Sequence, residues 1–576
     1  MLLNGDSQTT RRSALRLIGL SAGAALLAAC SPAPQISSPT TAPQAQPTAA
    51  GPAPTSAPTT APAAAAQPKP TTPPAAAVST PAAAAAGATT TTTGQPRRGG
   101  VAQYSIQADL SSIDGHVRTP GAVDSLWLAF DRLTQYDQQL QPQPMLAESW
   151  DVTPDYKQIK LNLRKNVTFH SGREFTSDDV KWNLLRVRRP DAASGQYANQ
   201  SNWFTGIETP DKYTVILSSD SPRPATFDLF ENLNMLDQQS IDIEAGPKQT
   251  KAVGTGPFVF KEWAQGDHLS FDRNPNYWQN GKPYLDGLQA NVRDIQAATV
   301  QLEAGALQLI RNPLVDDTAR LEQDSRFTKV LHPNPGTFFE YGLDCSKPPL
   351  DNKLVRQALN YALNRQRLID LYKGNVTVGA LPWGPSSPAY DETKNKAFAF
   401  DLDKAKSLLQ QAGASGIELE NIIIKGSYPQ QETFLQVYQS DLASIGVKMT
   451  PKLVDAATWL DQANNVKYTG MWSSGDNYAN LHPGSLFAVS PGWRVYPNND
   501  GFQDPRWAEL VAQSNLETDP AKQKQLYSDI NDYVLDQCFT YAVSNNPVWW
   551  VTSSKFHGLA PTLHQGFLWT DAWLDA

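Results

Sequence analysis

The sequence predicts a mixed α/β fold built in two lobes. About 480 residues follow Arg97 without a low-complexity break, more than one hydrophobic core usually supports. Within them, alternating apolar strands are interleaved with capped amphipathic helices, most clearly between Asp401 and Met449. A central stretch, Gly254 to Leu288, reads as a β-hairpin with an aromatic foot, and the other patterned segments are arranged on either side of it.

Residues 1–30 read as an address. Thr10-Arg11-Arg12-Ser13-Ala14-Leu15-Arg16 resembles a twin-arginine export motif, with Ala14 where an aromatic residue is usual. The apolar run from Leu17 to Ala28 is too short to span a bilayer comfortably, and it follows the charges as in a signal peptide. Leu27-Ala28-Ala29-Cys30 resembles a bacterial lipobox, which would make Cys30 the first mature residue and the carrier of a lipid. The competing reading is a plain N-terminal membrane helix with an incidental cysteine; the small residues directly before Cys30 favour the lipobox.

Residues 31–96 are Ala, Pro and Thr with almost no charge. Such a segment cannot bury enough apolar surface to offset its ordering entropy, so a disordered tether is expected. Fully extended at ~3.1 Å per residue, it would reach roughly 200 Å.

The chain carries a formal net charge of −8. Residues 1–96 hold Arg11, Arg12, Arg16 and Lys69 against Asp6, so the acidic excess lies in the folded part. That balance argues against a nucleic-acid partner, which would need a basic face. All 15 tryptophans lie beyond residue 96, as suits either an aromatic-lined cleft or ordinary core. With Cys30 lipidated, only Cys345 and Cys538 remain, which permits one disulfide in an exported protein. No cysteine or histidine spacing suggests a metal site, and no cofactor is expected.

In order, Val101 to Ile106 reads as a first strand and Ala122 to Phe130 as a short apolar helix. Ile159, Leu161 and Leu163 alternate with polar residues and predict a half-buried strand. Thr176 is placed to cap a helix, with Asp179 three residues on and Val180, Leu184 and Val187 along one face. Tyr213, Val215 and Leu217 mark another alternating strand. His170 invites a metal or catalytic reading, but no second ligand stands near it at helical or hairpin spacing, so a structural role is expected. In the Gly254 stretch, PFVFKEW and HLSFDRN are the arms and Gly266-Asp267 the tip. Asp351 is placed to cap a helix running from Leu354 toward Gly374, and Arg356 on it is read as an ion-pair partner rather than a ligand anchor. Asp401 caps a second helix with Leu402, Ala405, Leu408 and Leu409 inward. A buried strand at Ile422-Ile423-Ile424, a helix from Phe434 and a strand at Gly446 to Met449 complete an α/β unit.

Several of these segments together resemble the family 5 extracellular solute-binding proteins, which serve ABC importers of peptides, nickel complexes and related solutes. The motifs are GTGP-aromatic from Gly254, RNPNYW from Arg273, GKPYLD from Gly281, LAESW from Leu146, LRKNVTFHSG from Leu163, PLDNKLVRQAL from Pro349 and DLDKAKSLLQQAG from Asp401. The chain departs from the family pattern with Gly115-His116 where proline is usual and with GALQL from Gly305 where G-E-I-D is common.

The resemblance implies a periplasmic-binding-protein-like fold of class II, large type, with an extra sublobe and a hinge of two crossing strands. It implies lobe I over 97–337 with a sublobe at about 131–250, lobe II over 338–545, and a return to lobe I over 546–576. It further implies a monomer that binds a small solute, a peptide foremost, at the outer face of the cytoplasmic membrane, held there by its lipid, and delivers it to an ABC permease. Met471-Trp472-Ser473-Ser474-Gly475-Asp476 resembles the family's ligand-facing G-W…D strand and loop, though with extra residues before Pro483. By that resemblance Trp472 lines the pocket, Asp476 receives an amine, and Phe338 and Tyr341 of the crossing strand stand nearby. The same fold acting as a sensor remains open. A secreted hydrolase is the contrasting class, but G-x-S-x-G, H-E-x-x-H and C-x-x-C are all absent, so no enzymatic activity is expected.

Overall fold

Alternation along Gln158–Leu163 buries Ile159, Leu161 and Leu163 and leaves Gln158 and Lys160 outward. This strand lies between Ala147–Val152 and Thr214–Ser218, and Gly206–Asp211 completes a four-stranded antiparallel sheet. The helix Ser177–Arg186 packs against it with Val180, Leu184 and Val187 fully buried. Its start is capped by Thr176, whose backbone N–H donates to the Asp179 carboxylate at 3.0 Å.

The computed structural model describes residues 94–575, apart from 118–124, 191–194, 244, 247, 333–334, 426–428, 477 and 564–565. The expected export signal, the expected lipobox cysteine Cys30, nearly all of the expected tether and the first part of the expected Ala122–Phe130 helix lie outside the described residues. Among the described residues, no helix is long and apolar enough to cross a membrane, and no cluster of three or more His, Cys, Asp or Glu is placed to hold a metal ion.

A seven-stranded sheet holds the Gly254 hairpin. From edge to edge its strands are Phe327–Leu331, Trp549–Ser553, Leu309–Arg311, Val101–Ile106, Gly287–Val292, His268–Arg273 and Phe258–Ala264. Val101–Ile106 runs parallel to both of its neighbours, and the other pairings are antiparallel. The GTGP segment threads beside residues 128–130: Gly256 N–H donates to Ala129 O at 3.0 Å and Phe258 N–H to Leu128 O at 2.9 Å. There is no room for a side chain there. A Cβ on Gly256 would stand 2.5 Å from Ala129 C and 2.7 Å from both Leu128 O and Phe130 N, all backbone. His170 joins the same seam, its Nε2 2.9 Å from Gly256 O, which is the structural role expected of it.

A second, five-stranded sheet has the order Lys448–Val454, Glu418–Ile424, Gly470–Asp476, Phe338–Leu343, Thr540–Asn545. The chain leaves the first sheet after Phe327–Leu331, enters the second at Phe338–Leu343, and goes back between Thr540–Asn545 and Trp549–Ser553. One face of the second sheet is covered by the helices Lys353–Tyr361, Leu402–Gln411 and Pro429–Ala443, with Phe339, Tyr341, Leu343, Met471 and Ile423 among the buried residues on that side. Asp401 caps Leu402–Gln411 through a 2.8 Å bond from Lys404 N–H. Asp401→Ala is expected to cost about 1 kcal/mol, read as a lowered urea midpoint; an unchanged midpoint would remove the cap from the account of this helix.

Three expectations are corrected in this half of the chain, and the disulfide that the sequence permitted is not formed. The helix after Pro349 begins at Lys353, capped by Asn352 rather than Asp351: Asn352 Oδ1 accepts from Leu354 N–H at 2.9 Å. Asp and Asn cap about equally well, so residue type at 351–352 does not decide which of the two caps the helix. The helix also does not continue to Gly374; it stops at Tyr361, and Asn364 caps a new one, Arg365–Leu371. Arg356 forms no surface ion pair. It is buried and donates to the carbonyls of Gln537, Leu350 and Asp351 at 2.8–3.0 Å, tying this helix to the end of Pro520–Gln537. Finally, Cys345 and Cys538 are free thiols; Cys538 Sγ donates to Leu535 O at 3.3 Å and accepts from Asn360 Nδ2 at 3.6 Å.

Candidate functional site

The strand Phe338–Leu343 carries two different surfaces because successive side chains point to opposite faces. Phe339, Tyr341 and Leu343 enter the helix-covered core. Phe338, Glu340 and Gly342 face the other way. The neighbouring strand Gly470–Asp476 is antiparallel, with Phe338 opposite Asp476, Glu340 opposite Ser474, and Gly342 opposite Trp472. Directly opposed residues share a face, so Phe338, Asp476, Glu340, Ser474 and Trp472 form one surface.

Tyr341 is therefore not part of that surface, contrary to the expectation. It stacks on Tyr438 at 5.0 Å between ring centroids and meets Tyr541 edge-on at 6.0 Å, inside the lobe. The period of two along a strand is the reason: Tyr341 lies an odd number of residues from Phe338.

Trp472 shares the face with Asp476 but is enclosed. Its ring lies over Gly342 and Gly492, with Trp459 edge-on at 5.9 Å, and its indole N–H donates to Asp500 Oδ1 at 2.8 Å. A side chain at Gly342 would collide with the indole and with Asp500, which is why the crossing strand has a glycine there. Phe338 lies edge-on to Trp493, 6.2 Å between centroids. Asp476 ends its strand, half-buried.

Glu340 was not singled out from the sequence and is the most unusual residue of this face. It is fully buried on the crossing strand, and its carboxyl accepts from the Trp493 indole N–H. Burial pushes it well above the ordinary carboxyl range; the nearby Asp476 charge raises it further, as does Asp500, while the Trp493 hydrogen bond lowers it. Among the described residues, no cation is among the groups that shift it most. Asp500 is likewise pushed well above its usual value by burial, against the hydrogen bonds from Trp472 and Leu343 N–H. The signal for Glu340 was present in the sequence: a single acidic residue in the apolar run Phe338-Phe339-Glu340-Tyr341.

Chemically, this surface is an acidic, aromatic-walled patch at the end of the strands that link the two large sheets. Its acidic groups lie on adjacent strands: Glu340 and Asp476 are diagonal neighbours, about 7–8 Å apart at the backbone. Such an arrangement suits reversible binding of a cationic group between aromatic walls.

Comparisons with known proteins agree with this architecture. The chain is 28% identical over 455 residues to di/tripeptide-binding protein 1 of Pseudomonas aeruginosa, covering 73% of this chain and 84% of that one. It is 27% identical over 412 residues to the glutathione-binding protein GsiB of Salmonella typhimurium, covering 69% of this chain and 79% of that one. Among solved structures, the ABC transporter-associated periplasmic binding protein DppA of Helicobacter pylori, in complex with the peptide STSA, superposes with a TM-score of 0.72 at 23% identity over 83% of this chain and 99% of its own. These relatives are binding proteins rather than enzymes, and the shared architecture is the two-lobed α/β fold. The family model for bacterial extracellular solute-binding proteins, family 5, matches residues 141–492, more than half of the chain, and the chain belongs to that family.

Proposed function

We propose that this chain is a lipid-anchored, monomeric extracytoplasmic receptor that captures a small amine-bearing solute, a short peptide foremost, between its lobes and delivers it to an ABC importer. The observation that carries the ligand class is that Asp476 and Glu340 are diagonal neighbours on one aromatic-walled face, with no cation among the groups that shift Glu340 most among the described residues. A buried carboxyl without a cation either stays protonated or awaits a positive charge from outside. A protonated α-amine supplies that charge, and the relatives named for di- and tripeptides and for glutathione bind molecules that carry one. Phe338 and Trp493 supply apolar walls, whereas Trp472 is enclosed behind Gly342. Closure would turn on the two connections between the sheets, near residues 335–337 and 546–548, and the closed form would be what the permease recognises.

Mass spectrometry of ligand retained through a native purification tests the reading. A peptide or another primary-amine solute is expected; a neutral sugar or a purely anionic ligand would overturn the amine assignment. The anchor has its own test. Cys30→Ser is expected to move the protein from the membrane fraction to the soluble fraction in its native host, and an unchanged distribution with unchanged mass would exclude lipidation at Cys30.

A further inference from the structure

The four-stranded sheet and the second lobe meet at a carboxylate. The short helix Thr226–Asn232 follows the four-stranded sheet, whereas Pro483–Val489 follows the strand Gly470–Asp476 of the five-stranded sheet. Asp228, fully buried on the first helix, divides its two oxygens between the two sides. Oδ1 accepts from Tyr136 OH at 2.8 Å, within its own half. Oδ2 accepts from His482 N–H at 3.1 Å and from the Ser485 hydroxyl, both from the other half. Ser485 Oγ in turn accepts from Gln200 Nε2 at 3.0 Å, and Asn199 Nδ2 donates to Ala488 O at 3.1 Å, so the helix Gly195–Ser201 also takes part. Around this polar point the apolar contact is continuous: Leu229 and Phe230 belong to the same buried cluster as Leu481, Leu486 and Phe487.

We infer that Asp228 is an interlobe clasp, holding the four-stranded sublobe to the start of Pro483–Val489 when the receptor is closed. The inference rests on the two-lobed receptor reading but not on any ligand. A buried carboxylate that loses two of its three donors is satisfied again only once the halves part far enough for water to reach it, so partial separation is disfavoured and the contact is all-or-none. That makes it suited to distinguishing closed from open rather than to tuning intermediate positions.

The clasp also has a pH sense. Burial pushes the Asp228 carboxyl up to about 7, against the opposing hydrogen bonds from Ser485, Tyr136 and His482 N–H. Exposed on separation, it returns toward the ordinary value near 4. Between these values closure takes up a proton, so the contact strengthens as pH falls through about 7 and weakens as pH rises through it. The other groups facing it are Tyr136, Ser485, His482, Tyr527 behind His482, and Glu231 on its own helix. Tyr136 and Tyr527 are pushed upward by burial, and His482 is pushed down to about 4, so all three stay neutral in this window. Glu231 is also pushed up to about 7, by burial above all, but it accepts from Tyr136 N–H at 2.7 Å within the sublobe and is not bonded across the contact.

Hydrogen–deuterium exchange on the purified full-length chain, corrected for intrinsic rates, tests this without a ligand. Ser485→Ala and Asp228→Ala are each expected to raise exchange about threefold or more in both segments, 226–232 and 482–489, including the one not mutated. The double variant should exceed the larger single effect little or not at all. Wild-type exchange in both segments should rise between pH 6 and 8.5, and Asp228→Asn should flatten that rise. An increase confined to the mutated side, independent multiplication of the two effects, or an equal pH response in wild type and Asp228→Asn would each overturn the clasp while leaving the receptor assignment intact.

Discussion

Asp476→Asn is expected to weaken binding of an amine-bearing ligand at least tenfold, about 1.4 kcal/mol, with the fold unchanged. The substitution keeps size and one acceptor oxygen, turns the other into an N–H donor, and removes the charge at the end of the strand Gly470–Asp476. In a cleft that closes away from water, removing one partner of an ion pair strands the other, at a typical cost of ~3–5 kcal/mol. Tenfold is the lower bound because Asp476 is only half-buried and Glu340 lies diagonally beside it, able to share the amine. Glu340→Gln should lower affinity as well, and the two changes should be non-additive, as for neighbours acting on one group. Titration calorimetry with the co-purified ligand reads both. Unchanged affinity in Asp476→Asn for a demonstrated amine ligand would remove Asp476 from the site, and the family assignment would stand without it.

Gly256→Ala is expected to destabilise the protein by about 3 kcal/mol or to prevent its folding, at or beyond the upper end of ordinary overpacking. The added methyl would meet three backbone atoms of residues 128–130, the nearest at 2.5 Å. Side chains can turn aside, but these atoms are held by the bonds from Gly256 N–H to Ala129 O and from Phe258 N–H to Leu128 O. The carbonyl of Gly256 is itself engaged by His170 Nε2 and by Asn274 Nδ2, each at 2.9 Å, so the segment cannot withdraw from the other side. A guanidinium denaturation midpoint equal to that of the wild type would show that the close approach of these two segments is not what holds the seam.

The two predictions fall on different sides of what a sequence can disclose. Local order was legible because it depends on neighbours in the chain. The period of two in Ile159, Leu161 and Leu163, the caps at Thr176 and Asp401 and the hairpin around Gly266 each follow from short-range sterics and hydrogen bonding, and the structure has them at those places. Family membership was legible too, because GTGP, RNPNYW and PLDNKLVRQAL recur in order along the chain. Even the reason for GTGP was only half visible: two glycines suggested a tight turn, whereas the structure shows that Gly256 is needed for a backbone contact with residues 128–130, more than a hundred positions away.

What the tertiary structure alone decided was register and partnership. Phe338 and Tyr341 looked equivalent in sequence; the pairing of Phe338 with Asp476 put one on the acidic face and the other among tyrosines in the core. Glu340 gained its importance only when Asp476 and Trp493 were brought beside it. Arg356 became a tie between helices because the carbonyls it caps come from residues 350, 351 and 537. Asp228, in no motif, gained two hydrogen-bond donors because His482 and Ser485 arrive from more than 250 residues away. Charge, polarity and periodicity are properties of a residue and its near neighbours, and the chain discloses them. Burial, pKa and opposing strands belong to pairs far apart in sequence, and only the folded arrangement assigns them.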